Sequence, residues 1–125
     1  MKVFFYSALA DEIGDRLQKI IETVAPQGKV VVSRTTGSLT RTLCQPVDGP
    51  AITVLRAGSR DELLEILSIR RLLRDVRIIL ILPDQEDETV AMGHRLGPRL
   101  LTYADGDFAD VFAVLGRMIS RGKQQ

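Results

Sequence analysis

The stretch Val76-Arg77-Ile78-Ile79-Leu80-Ile81-Leu82 constrains the fold of this chain more than any other. Side chains point alternately to the two faces of a strand, so a strand with one wet face alternates apolar and polar residues. After Arg77 the apolar residues continue on both faces without a break. A strand of that kind must be covered on both sides, as an interior strand of a parallel sheet is. The run is also far shorter than the ~20 residues of a membrane-spanning helix.

Four more short apolar runs, at 3–6, 30–32, 51–55 and 100–103, are separated by segments of helical periodicity. In the first such segment Ile13, Leu17, Ile20, Ile21 and Val24 share one face, and Glu12–Arg16 and Asp15–Lys19 are favourably ordered pairs four residues apart. Pro26 closes it. The second segment, 38–45, is weak, with Leu39 and Leu43 as its stripe, and Pro46, Gly49 and Pro50 form the loop behind it. Ser59 opens the third with Glu62 three residues on, the pattern of a capping box. Arg70, Arg71 and Arg74 stand near its end, where cations complement the helix dipole. The fourth begins among Asp84, Glu86, Asp87 and Glu88 and stops at Gly97-Pro98. The fifth begins at Asp107, places Phe108, Val111, Phe112, Leu115, Met118 and Ile119 on one stripe, and frays past Gly122.

Strict alternation of strand and helix with short connections predicts an α/β three-layer sandwich: a five-stranded parallel sheet with two helices on one face and three on the other. The expected strand order is 2-1-3-4-5, the flavodoxin-like arrangement, whose ligand crevice lies outside the carboxyl ends of strands one and three. At 125 residues, 1–125 reads as a single domain. With 45% hydrophobic and 26% charged residues the chain has enough apolar content to bury a core. Seventeen Lys and Arg against sixteen Asp and Glu give +1, too even a balance to suggest nucleic acid or an acidic membrane as partner. One cysteine forms no internal disulfide, and one histidine makes a histidine-based metal site improbable. The first residues carry no secretory pattern, so a cytoplasmic location is expected.

The segment Ala91-Met92-Gly93-His94-Arg95-Leu96-Gly97-Pro98-Arg99-Leu100-Leu101-Thr102-Tyr103, with the order of all five strand–helix units, resembles the receiver domains of two-component response regulators. That resemblance implies a (βα)5 domain and, in its active members, phosphoryl transfer to a carboxylate. Such transfer needs a nucleophilic Asp, a divalent cation held by neighbouring acids, and groups that neutralise the phosphoryl oxygens. In the family the acids follow strand one, the acceptor Asp ends strand three, a hydroxyl residue ends strand four and a Lys ends strand five. Here strand one runs into Ser7 with no acid before Asp11 and Glu12, and strand three ends Leu55-Arg56-Ala57-Gly58, so that Arg56 or Ala57 takes the acceptor position. Pro83 follows strand four, and strand five ends at Tyr103 with no Lys. The resemblance therefore implies a degenerate receiver that does not take up phosphate.

Several residues admit a sharper reading. Asp11, Glu12, Asp84 and Asp105 are oxygen donors of the kind Mg²⁺ takes, but carboxylates at those places also cap helices. Arg56 either fills the vacated site, paired with Asp11, Glu12 or Asp84, or is solvated. The hydroxyl-rich stretch Ser33-Arg34-Thr35-Thr36-Gly37-Ser38-Leu39-Thr40 resembles a flavodoxin phosphate loop but follows the wrong strand, and reads as a loop and helix cap. Neither a GxGxxG motif nor a Walker loop is present. Cys44 reads as a small buried side chain and His94 as a surface residue.

The reading that follows is a signalling module that binds proteins, has no enzymatic activity and takes no cofactor. By the resemblance its partner surface lies on the fourth helix, fifth strand and fifth helix. His94, Arg95, Arg99, Tyr103, Asp107 and Asp110 are the candidates, and homodimerisation through the two helices is one possible use. Tyr103 offers a large aromatic face with a polar tip. The alternative is a small-molecule-binding or catalytic domain working in the crevice near Ser7, Ala8, Arg56, Ala57 and Gly58.

Overall fold

In the computed structural model, which describes residues 2–25, 29–45 and 51–123, every apolar run becomes a parallel strand. The elements are β1 (Lys2–Ser7), α1 (Glu12–Val24), β2 (Val30–Ser33), α2 (Thr36–Leu43), β3 (Ala51–Arg56), α3 (Arg60–Ser68), β4 (Arg77–Leu82), α4 (Asp87–His94), β5 (Leu100–Tyr103) and α5 (Ala109–Lys123). A 3₁₀ turn, Arg70–Leu73, lies between α3 and β4. The sheet has the order β2-β1-β3-β4-β5, all pairs parallel. This is the flavodoxin-like, receiver-type (βα)5 architecture that the alternation of elements predicts.

Strand parity sorts the core into two layers. Val3, Phe5, Ile52, Val54, Ile79 and Ile81 face one way and meet Leu17 and Ile21 of α1 and Val111 and Leu115 of α5. Tyr6, Leu55, Ile78, Leu80 and Leu82 face the other way and meet Leu39 of α2, Leu63 and Ile66 of α3, and the partly buried Val90 and Met92 of α4. Two helices therefore cover one face and three the other. From Ile78 to Leu82 no residue of β4 is exposed, as its unbroken apolar run requires. A helix-capping residue follows each of the first three strands. Asp11, Thr35 and Ser59 accept from the backbone N–H groups of Gly14, Ser38 and Glu62, and so start α1, α2 and α3.

Five details differ from the sequence reading. The third helix stops at Ser68 and tightens into the 3₁₀ turn, so Arg70 and Arg71 lie beyond α3. The fourth ends at His94, before Gly97, whose φ of +63° carries the left-handed turn into β5. The fifth begins at Ala109, because Phe108 also takes a left-handed backbone, φ +64°. Phe108 is nevertheless buried, with the Arg16 guanidinium over its ring at 5.1 Å. Phe112, about 100° round the helix from buried Val111, stands at the margin of the α5 stripe and is 51% exposed. Cys44, at the end of α2, is exposed rather than buried: Leu39 and Leu43 hold that helix to the sheet and turn Cys44 to solvent. The Pro26 and Pro46–Pro50 features fall outside the described residues.

Candidate functional site

The carboxyl end of β3 is built around a buried cation. Arg56 shares strand parity with Ile52 and Val54, so its side chain leaves the sheet on the side of α1, where Asp11 caps that helix. The two side chains meet fork to fork: Arg56 Nη1 donates to Asp11 Oδ1 at 2.8 Å and Nη2 to Oδ2 at 2.9 Å. The Gly14 N–H adds a third hydrogen bond to Oδ1 at 2.9 Å. The Arg56 side chain is 5% exposed and that of Asp11 38%. Arg56 Nε is buried and has no acceptor. The hydrogen bond from Arg56, followed by that from Gly14, holds the Asp11 carboxyl below its usual range.

Around this pair the chain is close-packed. Ser7, in register with Arg56 across β1 and β3, is buried, and its Oγ donates to the Leu9 carbonyl at 3.3 Å. Arg34, beyond β2, donates to the Ser7 carbonyl at 3.3 Å. A methyl group on Gly14 would come within 3.1 Å of the Leu9 carbonyl, 3.2 Å of Ser7 Oγ and 3.3 Å of Asp11 Oδ1. Gly14 therefore sets how closely α1 approaches the end of β1. It carries no signal in the sequence beyond being a glycine in a helix's first turn.

The other predicted acids go elsewhere. Glu12 is exposed in the first turn of α1. Pro83 follows β4 and is half-buried, and Asp84 next to it accepts from the Glu86 N–H at 3.0 Å. The Thr89 hydroxyl and then the Glu86 amide hold Asp84 below its usual range. Glu86 and Glu88, at the start of α4, both pair with Arg60 of α3, which also donates to the Thr89 hydroxyl at 3.2 Å. Among the described residues no three of His, Cys, Asp and Glu are grouped so as to hold a metal ion. In the stretch after β2, Thr35 caps α2, and Thr40 and Thr42 donate back to the carbonyls of Thr36 and Ser38. These hydroxyls serve the helix itself.

Of the candidate partner residues, His94, Arg95, Arg99, Asp107 and Asp110 are exposed and Tyr103 is partly buried against the α3–α4 layer. They do not form one patch. His94, Arg95 and Arg99 lie at the amino end of β5, and Tyr103, Asp107 and Asp110 at or beyond its carboxyl end, roughly 13 Å along the strand. The first group is basic and the second acidic.

Among the described residues no helix is long and apolar enough to cross a membrane. In comparison with known proteins, no family model matches the chain, and neither a curated protein nor a solved structure does.

Proposed function

We propose that this chain is a receiver-like protein-interaction module that works without phosphoryl transfer and without catalysis of its own. The observation that supports this most is the Arg56–Asp11 pair. At the end of β3, where a receiver carries its phosphoryl acceptor, stands a guanidinium that has no nucleophilic atom and cannot lose its proton. The nearest carboxylate, Asp11, has both oxygens engaged by that guanidinium and one of them also by Gly14. A cation fixed in this position supplies the charge that a bound Mg²⁺ would bring to an active receiver. The scaffold then holds one state, and its outer surfaces remain for binding.

Two experiments test the reading. Incubation with a small phosphodonor and Mg²⁺ is expected to leave the intact mass unchanged. An added phosphoryl group that base removes and acid does not would overturn it. With a partner captured from native extract, Tyr103→Ala is expected to weaken binding by about thirtyfold, the effect of a ~2 kcal/mol hot spot, with the melting temperature little changed. If Arg56→Ala abolishes binding while Tyr103→Ala leaves it intact, the crevice at β1 and β3 is the working site and the interaction reading fails.

A further inference from the structure

Eight of the thirteen arginines in the chain lie at one end of the molecule, where β4 and β5 begin. Arg77, Arg99, Arg117 and Arg121 line a cleft of about 240 Å³ beside the end of α5, with Val114 and Met118 as its apolar wall. Arg70, Arg71, Arg74 and Arg95 line a second cleft of about 550 Å³ between the 3₁₀ turn and the turn after α4. The two clefts lie at the same end of the sheet but on its opposite faces. Arg77 shares strand parity with Ile79 and Ile81 on the α1–α5 side, while Val76 packs on the α3–α4 side. A segment that reaches both must cross the amino ends of β4 and β5. Among the described side chains no lysine lines either cleft. Among the described residues the ion pairs are Asp11–Arg56 and Arg60 with Glu86 and Glu88, so none of the eight is paired, although Asp75 lies between Arg74 and Arg77 in sequence.

Helix dipoles account for part of this crowding, because cations complement the last turn of a helix. They do not account for Arg77, which opens β4, or Arg99, which leads into β5. So many like charges at one end repel one another, and a bound anion relieves that repulsion. Guanidinium groups bind phosphate with planar, two-pronged hydrogen bonding that an ammonium does not offer. A phosphoryl group brings up to two negative charges and three acceptor oxygens, whereas a carboxylate brings one charge and two oxygens.

We infer that these two clefts are a docking site for a protein segment carrying two phosphoryl groups, one for each set of four arginines. This deepens the interaction reading and rests on it for the protein nature of the partner. Two observations favour a peptide over nucleic acid. No aromatic side chain lines either cleft, so nothing there stacks on a base. The opposite end of the same half of the molecule is acidic, with Glu86, Asp87, Glu88, Asp105, Asp107 and Asp110 all exposed, and it would repel a long polyanion that ran past the clefts.

The test uses the full chain and a fluorescent Gly/Ser peptide with two phosphoserines four residues apart, read by anisotropy at low salt. Binding is expected, with a loss of at least ~10-fold for the peptide with one phosphoserine and for each of Arg99→Glu and Arg71→Glu. Both variants change exposed side chains, and an unchanged melting temperature shows that they fold. Arg41→Glu, at an exposed arginine outside both clefts, should bind the peptide as the parent does. Tyr103→Ala is read against the captured partner, so a failed peptide assay is distinguishable from failure of the Tyr103 surface. The inference is overturned by no binding of the doubly phosphorylated peptide, by equal binding of its unphosphorylated form, or by insensitivity to both arginine reversals. Tighter binding of a single-stranded oligonucleotide of equal charge overturns it in favour of nucleic acid.

Discussion

Thr53 stands in the middle of β3 with its hydroxyl buried and without a hydrogen-bond partner. Leaving such a group unpaired costs more than the hydroxyl returns, so Thr53→Val, which keeps the branched shape, is expected to raise stability by about 1 kcal/mol in urea unfolding. Asp11→Asn works in the other direction. The amide still caps α1, but the buried Arg56 charge loses its counter-charge. With Asp11 partly solvated, the expected loss at neutral pH is about 1–2 kcal/mol, below the full cost of breaking a buried pair. Its pH dependence has a definite sign. The folded carboxyl titrates below the unfolded one, so its stabilisation is fully present above the unfolded value of ~4 and disappears as pH falls through the lower folded value. The gap between parent and Asp11→Asn should therefore be constant from pH 7 to about 5 and close in more acidic solution. A gap that widened on acidification would contradict the pairing. At this scale the sequence placed Arg56 at the strand end and left its partner open among three acids. Strand parity and the cap position of Asp11 decide that choice, and both are properties of the folded chain.

Helix four comes closest to the sheet at Gly93, where a methyl group would lie 3.1 Å from side-chain carbons of both Leu80 and Leu101 and 3.3 Å from one of Leu82. Three leucines from two strands would have to move at once to admit a branched side chain. Gly93→Val is expected to destabilise by roughly 1–3 kcal/mol, read as a lower melting temperature, despite the better helix propensity of valine. The same change at exposed Gly37 should lack that packing penalty, since only Thr35 Oγ1 comes near, at 3.9 Å. Element identity was legible because each strand was a dense apolar run, the first and fifth helices had a clear stripe, and the third and fourth had recognisable ends. Boundaries were less so. Nothing in Arg70-Arg71-Leu72-Leu73 distinguishes a 3₁₀ turn from one more turn of α-helix, because residues three apart share a face in both and four residues are too few to show the difference in period. Phe112 was misplaced because it stands at the margin of the stripe that Val111, Leu115 and Met118 centre, where a spacing pattern does not say which edge is covered.

The whole-molecule topology was the most legible feature. Five units of strand and helix leave few arrangements once crossovers are right-handed and the fourth run is buried on both faces, and the observed order β2-β1-β3-β4-β5 is among those few. Charge was the least legible. A balance of +1 says nothing about where the charges sit, and a parallel sheet sends every helix N-terminus to one end and every C-terminus to the other. Acids drawn to the first turns and arginines near the last therefore separate along the strands, and the near-neutral molecule becomes an electric dipole. Such a body turns in the field of an approaching anion before the two surfaces touch, so orientation precedes contact. The effect belongs to encounter and not to the seated complex. In stopped-flow measurements with the doubly phosphorylated peptide, raising salt from ~20 to ~500 mM should slow association roughly tenfold or more and alter dissociation far less. Arg99→Glu should flatten the salt dependence of association even when the peptide concentration is raised to restore occupancy.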